Sequence, residues 1–448
     1  MKPIIYCYLD QINQLLKVQS DWGENSHWGL SFEKNNEDVY HLYTSMPDII
    51  PAGKPQPTIF SDISHLPDEE VDYGLLCRKL FSTGYETNSK RAKILVFLRV
   101  ENGKAKLRGF VLKPAFQADE YPNVVDEISS DSSGFQEAEI KYVPGKNELY
   151  SRAKGILEHS LLENSKVCII GVGSFGSYIA VELAKAGVGR FDLIDFDRLE
   201  LSNVARHQCG INDLGRFKTK AISDLIKYKN PYSNITTLEI NINDKISDFE
   251  DSALSSDIVL CMTDNNESRN RINKFCIENN KVCIFGRAIT RAEGGDIFIL
   301  DGKNINSTPC LTCCIGMGLF EKADDEKSHF ESVRNETPAY VSDEEVNATI
   351  QVGLSSDINP ICNMIVKLSL LELSRGKESG LESLYEDLTA KYYIWVNRRE
   401  SKYQSWLPMA FIANRPSILR WYGARVKKNP ICPSCNSEAF SEHMLSNP

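Results

Sequence analysis

The clearest hydrophobic signal in the first part of the chain is Ile94-Leu-Val-Phe-Leu98, apolar at every position and of strand length. With its flanks it predicts a strand over Lys93–Val100. The turn-forming Glu101-Asn-Gly-Lys104 follows, and then a second strand over Leu107–Leu112. Residues 1–117 therefore read as a smaller αβ or mainly β module. From 118 to 147 the chain turns acidic and loses its apolar period, with Ser129-Ser-Asp-Ser-Ser-Gly134 at the centre, as an acidic linker would.

Beyond the linker the pattern alternates. A helix is expected over Glu148–Leu162, a strand over Lys166–Ile170, a glycine turn, a helix over Ser177–Ala186 and a strand over Arg190–Asp195. That order is a parallel βαβ unit. It continues with a helix Lys218–Tyr228, strands Thr236–Ile240 and Ile258–Met262, a helix Glu267–Asn279 and a strand Val282–Phe285. Residues 319–350 have few apolar anchors and read as a long mobile loop. The apolar helix Ile361–Leu373 and aromatic-rich strands come after it. The fold class is α/β.

Composition narrows the functions. The chain has 448 residues, enough for two or three domains, and 42% hydrophobic and 25% charged residues, as soluble proteins do. A net charge of −10 and a pI of about 5.4 lack the basic field of a nucleic-acid surface. No stretch approaches the ~20 apolar residues of a membrane span. Met1–Leu9 is too short and interrupted for a signal peptide. Thirteen cysteines without such a signal point to a cytoplasmic protein with thiols and metal ligands.

The glycine turn is Gly171-Val-Gly173-Ser-Phe-Gly176. Between a buried strand and a helix, these glycines let backbone N–H groups approach a phosphate. Asp195 stands 19 residues further on at a strand end, where an acid binds a ribose hydroxyl. A dinucleotide dehydrogenase would fit these two features equally well. The following residues separate the readings: Asp195-Phe-Asp197, then Ser202-Asn203 and Arg206-His207, Gly215 with Lys218, and Thr263-Asp264-Asn265 with Arg269. Hydride transfer has no evident use for Arg, Lys and a strand-end Asp beside the phosphates. Nucleotidyl transfer does, because cations offset charge on the transferred phosphate and a carboxylate holds magnesium.

The order GxGxxG, D-x-D-x-x-x-x-S-N-x-x-R, G-x-x-K and T-D-N closely resembles the ThiF/MoeB/ubiquitin-activating-enzyme superfamily, over roughly residues 148–435. The resemblance implies a Rossmann-like nucleotide-binding adenylation core over 148–448, with a crossover loop at about 319–360. By position, Gly171, Gly173, Gly176, Asp195, Asp197 and Asn203 would bind ATP, with Asp195 on the ribose. Asn203 and Arg206 would contact phosphates, Lys218 would steady the α-phosphate in the transition state, and Asp264 would position Mg2+. Leu149-Tyr-Ser-Arg152 resembles the family's R-Y-x-R segment, which makes Arg152 an arginine finger reaching a partner's site in a homodimer. A solvated helix arginine is the bland alternative, and Asp197 and Arg269 could be local ion-pair partners.

Cys310-Leu-Thr-Cys313 and Cys432-Pro-Ser-Cys435 each present two thiolates, and together they would close a four-cysteine zinc site. The resemblance implies the same split arrangement; redox-active pairs are the competing reading. Thioester-forming relatives carry a cysteine in the crossover loop or at the start of the following helix. Here none lies between Cys314 and Cys362. Cys362 is the remaining candidate nucleophile, although a cysteine opening an apolar helix is more often a core thiol.

The resemblance implies ATP-dependent adenylation of the C-terminal carboxylate of a ubiquitin-like protein, in a prokaryotic ubiquitination-like pathway, with a conjugating enzyme as a further partner. Activation of a sulfur carrier or of a ribosomally made peptide are the enzymatic alternatives. An inactive partner subunit is the non-enzymatic one.

Overall fold

The structure is a computed structural model. It describes residues 2–18, 26–34, 37–44, 53–67, 71–83, 93–101, 104–112, 134–143, 146–289, 292–319, 353–398 and 417–446. The chain divides into two compact units, Met1–Leu149 and Tyr150–Pro448.

The first unit is a closed barrel. Its strands are β1 (Ile4–Tyr8), β2 (Ser26–Glu33), β3 (Val39–Tyr43), β4 (Lys54–Asp62), β5 (Ile94–Glu101), β6 (Lys104–Leu112) and β7 (Phe135–Val143), in the order β1-β3-β2-β4-β5-β6-β7. β5 explains its own unbroken apolar run. Ile94, Val96 and Leu98 face one buried cluster with Ile5, Leu42 and Phe60, while Leu95 and Phe97 face another with Cys77 of the helix Tyr73–Thr83. A strand covered on both faces has no polar alternation to show.

The expected linker over 118–147 is corrected at its end: residues 135–143 are β7, which pairs in parallel with β1 and antiparallel with β6. Its acidic look comes from the solvent-accessible Glu137 and Glu139; they share a strand face with Phe135, which is buried in the cluster that includes Cys77, while Ala138 is buried on the opposite face among Ile5 and Val96. Residues 118–133 and 144–145 of that stretch lie outside the described residues.

The second unit is an eight-stranded sheet in the order β10-β9-β8-β11-β12-β13-β14-β15. The strands are β8 (Lys166–Ile170), β9 (Arg190–Ile194), β10 (Asn234–Leu238), β11 (Ile258–Cys261), β12 (Val282–Ala288), β13 (Gly294–Asp301), β14 (Tyr392–Val396) and β15 (Arg420–Ala424). β8 to β12 are mutually parallel, and β13 to β15 extend the sheet antiparallel. The helices Ser174–Ala186, Lys218–Lys229 and Ser355–Ser374 cover one face. The helices Ile246–Leu254, Asn266–Glu278 and Leu311–Ile315 cover the other.

Three further expectations change. The single helix over Glu148–Leu162 is instead a short turn Lys146–Leu149 followed by 3-10 turns at Ser151–Ala153 and His159–Leu161. Gly155, at φ +85°, breaks the helical path. The helix expected from Ile361 begins at Ser355, so residues 355–360 of the expected crossover loop are helical. Residues 320–352 of that loop lie outside the described residues. Strand β13 and the helix Ile246–Leu254 are additions to the sequence reading. No helix among the described residues is long and apolar enough to cross a membrane.

Candidate functional site

The parallel strands place their carboxyl ends on one edge, and the strand order reverses between β8 and β11. Connections from β8 lead to β9 on one side, and β11 lies on the other. Open α/β sheets have their ligand crevice at such a reversal. The glycine loop starts there. Gly171 holds φ +86°, its N–H donates to the Ile194 carbonyl (2.9 Å), and a Cβ on it would meet the Met262 carbonyl at 2.7 Å. A Cβ on Gly176 would run into the Gly171 carbonyl. These two glycines thus let the loop lie flat on the ends of β8 and β11. Around Gly173, by contrast, a Cβ would meet nothing within 4 Å. The helix Ser174–Ala186 starts beside it with no side-chain cap on its first N–H groups.

Asp195 ends β9 and holds the loop from the other side. One carboxylate oxygen accepts the Val172 N–H (2.7 Å) and the other the Asp197 N–H (2.8 Å). Burial raises the pKa of its carboxyl; nearby Lys218 and those two N–H groups act in the opposite direction. Lys218 opens the helix Lys218–Lys229, and its ammonium pairs with Asp197 Oδ2 at 2.7 Å. Two acids, one cation and a row of backbone donors therefore meet at the switch point.

His207 completes the fastening. The Cys209 N–H donates to His207 Nδ1 (3.1 Å), so Nε2 carries the proton and donates to the Val172 carbonyl at 2.9 Å. Burial holds the ring below its ordinary pKa; the Val172 bond and Asp213 oppose this and Lys218 adds to it. Arg206, next in chain, is half-buried, and burial lowers its guanidinium pKa too. The turn after β11 brings Thr263 and the exposed Asp264 beside the loop. Arg269, 4% exposed, ties that turn by donating to the Thr263 carbonyl (2.7 Å) and to Asn266 Oδ1 (3.1 Å). Asn265 caps the helix Asn266–Glu278 by accepting the Ser268 N–H.

Gly171, Gly173, Gly176, Asp195, Asp197 and Lys218 thus converge, with Asp264 alongside, and Arg206 is next in chain to His207. Asn203 is engaged differently: its Oδ1 accepts the Glu200 N–H (3.0 Å), making a reciprocal cap of the turn Leu201–Val204. Arg152 is exposed on the 3-10 turn Ser151–Ala153, and no hydrogen bond or ion pair joins it to the crevice among the described residues. Sequence reading gives His207 no role. Its position beside Arg206 is the available signal, but only the folded turn brings it over the loop.

Cys362 lies in the core of the helix Ser355–Ser374, fully buried, and burial pushes its thiol pKa up. A nucleophilic thiol needs the opposite shift and access to substrate.

The four remaining site cysteines cluster. Their sulfurs all lie within 4.8 Å of one another, with Cys310–Cys313 at 3.8 Å and both Cys310–Cys432 and Cys313–Cys435 at 3.6 Å. A disulfide would need about 2.05 Å. Tetrahedral zinc with Zn–S bonds of about 2.3 Å has sulfur–sulfur edges of about 3.8 Å, so the set fits a closed zinc site. Asn429 donates its N–H to Cys313 Sγ (3.4 Å), and Thr312 and Ser434 join the two knuckles at 2.7 Å. This chemistry ties the C-terminal segment to the sheet unit.

Among solved structures, a crystal structure of E. coli MccB with ATP aligns with 62% of this chain and 68% of that one, at 18% identity and a TM-score of 0.43. Ubiquitin-like modifier-activating enzyme 5 of Caenorhabditis briggsae is 30% identical over 169 residues, 35% of this chain and 38% of that protein. Molybdopterin-synthase adenylyltransferase of Escherichia coli (strain K12) is 36% identical over 157 residues, 34% of this chain and 59% of that protein. The chain therefore spans less than two thirds of either relative. A family model described as ThiF family matches residues 152–379, just over half of the chain, and includes the glycine loop, Asp195, Lys218 and Asp264. The chain belongs to the ThiF family.

Proposed function

We propose that the chain is an ATP-dependent adenylyltransferase acting on the C-terminal carboxylate of a ubiquitin-like protein. The observation that carries this reading is the meeting of the glycine loop, Asp195 and the Lys218–Asp197 pair at the switch point. The open N-terminus of the helix Ser174–Ala186 suits phosphate oxygens. Asp195 suits the ribose, and Asp264 at the crevice edge suits magnesium, which would neutralise the departing pyrophosphate.

In the proposed reaction a carboxylate oxygen of the carrier attacks the α-phosphorus of ATP. The bond from that phosphorus to the bridging oxygen breaks, and pyrophosphate leaves with its electron pair. Lys218 shifts from Asp197 to the α-phosphate as negative charge grows there, with Arg206 acting on the neighbouring phosphates. No proton need move and no side-chain nucleophile is used. The zinc site is structural.

The finer assignments continue the same reading. The chain acts as a homodimer in the cytoplasm, Arg152 reaching the partner's crevice and Asn203 contacting phosphate through its remaining amide donors. The barrel unit serves to recognise the carrier or a conjugating enzyme. A second reading, activation of a sulfur carrier, is favoured by the similarity to molybdopterin-synthase adenylyltransferase. ATP–pyrophosphate exchange with purified candidate carriers ending in glycine tests both. Exchange with a ubiquitin-like carrier supports the first reading and exchange with a sulfur carrier alone the second, while no exchange with any carrier would sink both.

A further inference from the structure

Val172 is the point of the glycine loop held from both sides. Its N–H is taken by Asp195 Oδ2 at 2.7 Å and its carbonyl by His207 Nε2 at 2.9 Å. His207 is itself only 8% exposed, and its second ring nitrogen accepts the Cys209 N–H at 3.1 Å. One neutral imidazole thus bridges two stretches of backbone, accepting from one and donating to the other. No other neutral tautomer satisfies both bonds, and a protonated ring would lose the acceptor.

The consequence lies one peptide further on. In a trans peptide the N–H points opposite to the carbonyl. Pinning the Val172 carbonyl toward His207 therefore aims the Gly173 N–H away from it, on a residue with open space around it and at the entrance to the helix Ser174–Ala186. We propose that His207 is a positioning residue: its neutral ring sets the Val172–Gly173 peptide so that the Gly173 N–H is presented to a nucleotide phosphate. His207 touches neither substrate nor phosphate itself. This inference rests on the nucleotide-binding reading given above.

The experiment uses the full chain and three variants, His207→Leu, His207→Asn and His207→Gln. Affinity for a non-hydrolysable ATP analogue is measured by titration calorimetry, together with thermal unfolding. In pyrophosphate exchange, KM for ATP is followed separately from KM for the carrier. Leucine removes both ring bonds. Asparagine keeps polarity but is too short to span them, and it serves if the leucine variant does not fold. Glutamine can restore a donor and an acceptor. The expected result is an affinity loss of about tenfold or more in the leucine or asparagine variant, seen in KM for ATP and not in KM for the carrier. The glutamine variant should recover to within about threefold of the parent. Unchanged analogue affinity in the folded leucine or asparagine variant overturns the positioning role, as does a loss in the glutamine variant equal to theirs. If the parent chain itself binds no ATP analogue, the nucleotide-binding reading falls as well.

Discussion

Lys218 and Asp197 are joined twice. The Lys218 main-chain N–H donates to the Asp197 carbonyl at 3.0 Å, and its ammonium meets Asp197 Oδ2 at 2.7 Å. The main-chain bond fixes the helix start against the loop after β9, so the ammonium stays at the crevice whichever anion it faces. The lysine side chain is 11% exposed and the aspartate 48%, so the aspartate can give way to a phosphate without leaving a buried charge unpaired. Lys218→Ala should lower the pyrophosphate-exchange rate by about 10²–10³-fold, the scale of losing one preorganised electrostatic contact. Asp197→Asn should cost much less. Rates within a factor of three of the parent for Lys218→Ala would remove the lysine from the reaction.

Gly176 has no room for a methyl group, because the Gly171 carbonyl occupies the place where a Cβ would sit. Gly176→Ala must push the loop off β8 and β11, with a destabilisation of about 1–3 kcal/mol by overpacking. Gly173→Ala meets open space and should fold normally. Denaturant unfolding of the two variants checks this, and equal midpoints would contradict the close approach at Gly176.

The cluster of four cysteines predicts one zinc ion per chain by elemental analysis. Cys310→Ser or Cys432→Ser should lose the metal and lower Tm, because the knuckles hold the C-terminal segment to the rest of the unit. A fully reduced parent protein containing no metal, stable to chelator, would refute the zinc assignment.

The pH dependence of stability follows from His207. Burial, with Lys218 adding to it and Asp213 opposing, sets the folded pKa below the ordinary value of 6.5. The folded state then binds fewer protons than the unfolded state. The ring's contribution is complete above the ordinary value and is lost as pH falls through the folded one. Tm should therefore drop, as pH falls below the ordinary value of 6.5, more steeply in the parent than in His207→Gln, which does not titrate there. Parallel Tm profiles would show that His207 does not titrate on unfolding.

Cys362→Ala should leave exchange activity unchanged and cost about 1 kcal/mol of stability through its small cavity. The buried thiol has neither the thiolate character nor the access of a nucleophile. Disappearance of a carrier adduct from this variant under non-reducing conditions would restore Cys362 as the thioester residue.

Much of the second unit is legible in the sequence because its signals are local. A buried strand followed by glycines and a helix is written in consecutive residues, and so are the boundaries of β8, of β9 and of the helix Lys218–Lys229 to within a residue or so. β7 is not legible. Its solvent-accessible glutamates dilute the apolar pattern, and its partners β1 and β6 lie far away in sequence or across a long intervening stretch. The turn at Gly155 escapes notice for a related reason, since the surrounding residues have good helix propensity and the break depends on one positive φ.

The sequence by itself determined which chemical groups are present and in what order: backbone donors at the glycines, acids at the strand ends, one lysine at a helix start and two thiol pairs. Those depend only on residue type and local period. Tertiary structure decided how they combine. Strand order brings Gly171 against Met262, and a return of the chain carries Cys432 to Cys310. The packing of one turn over the loop gives His207 its hold on Val172. Such pairings depend on distances between segments remote in sequence, which packing of the core sets and no local pattern encodes.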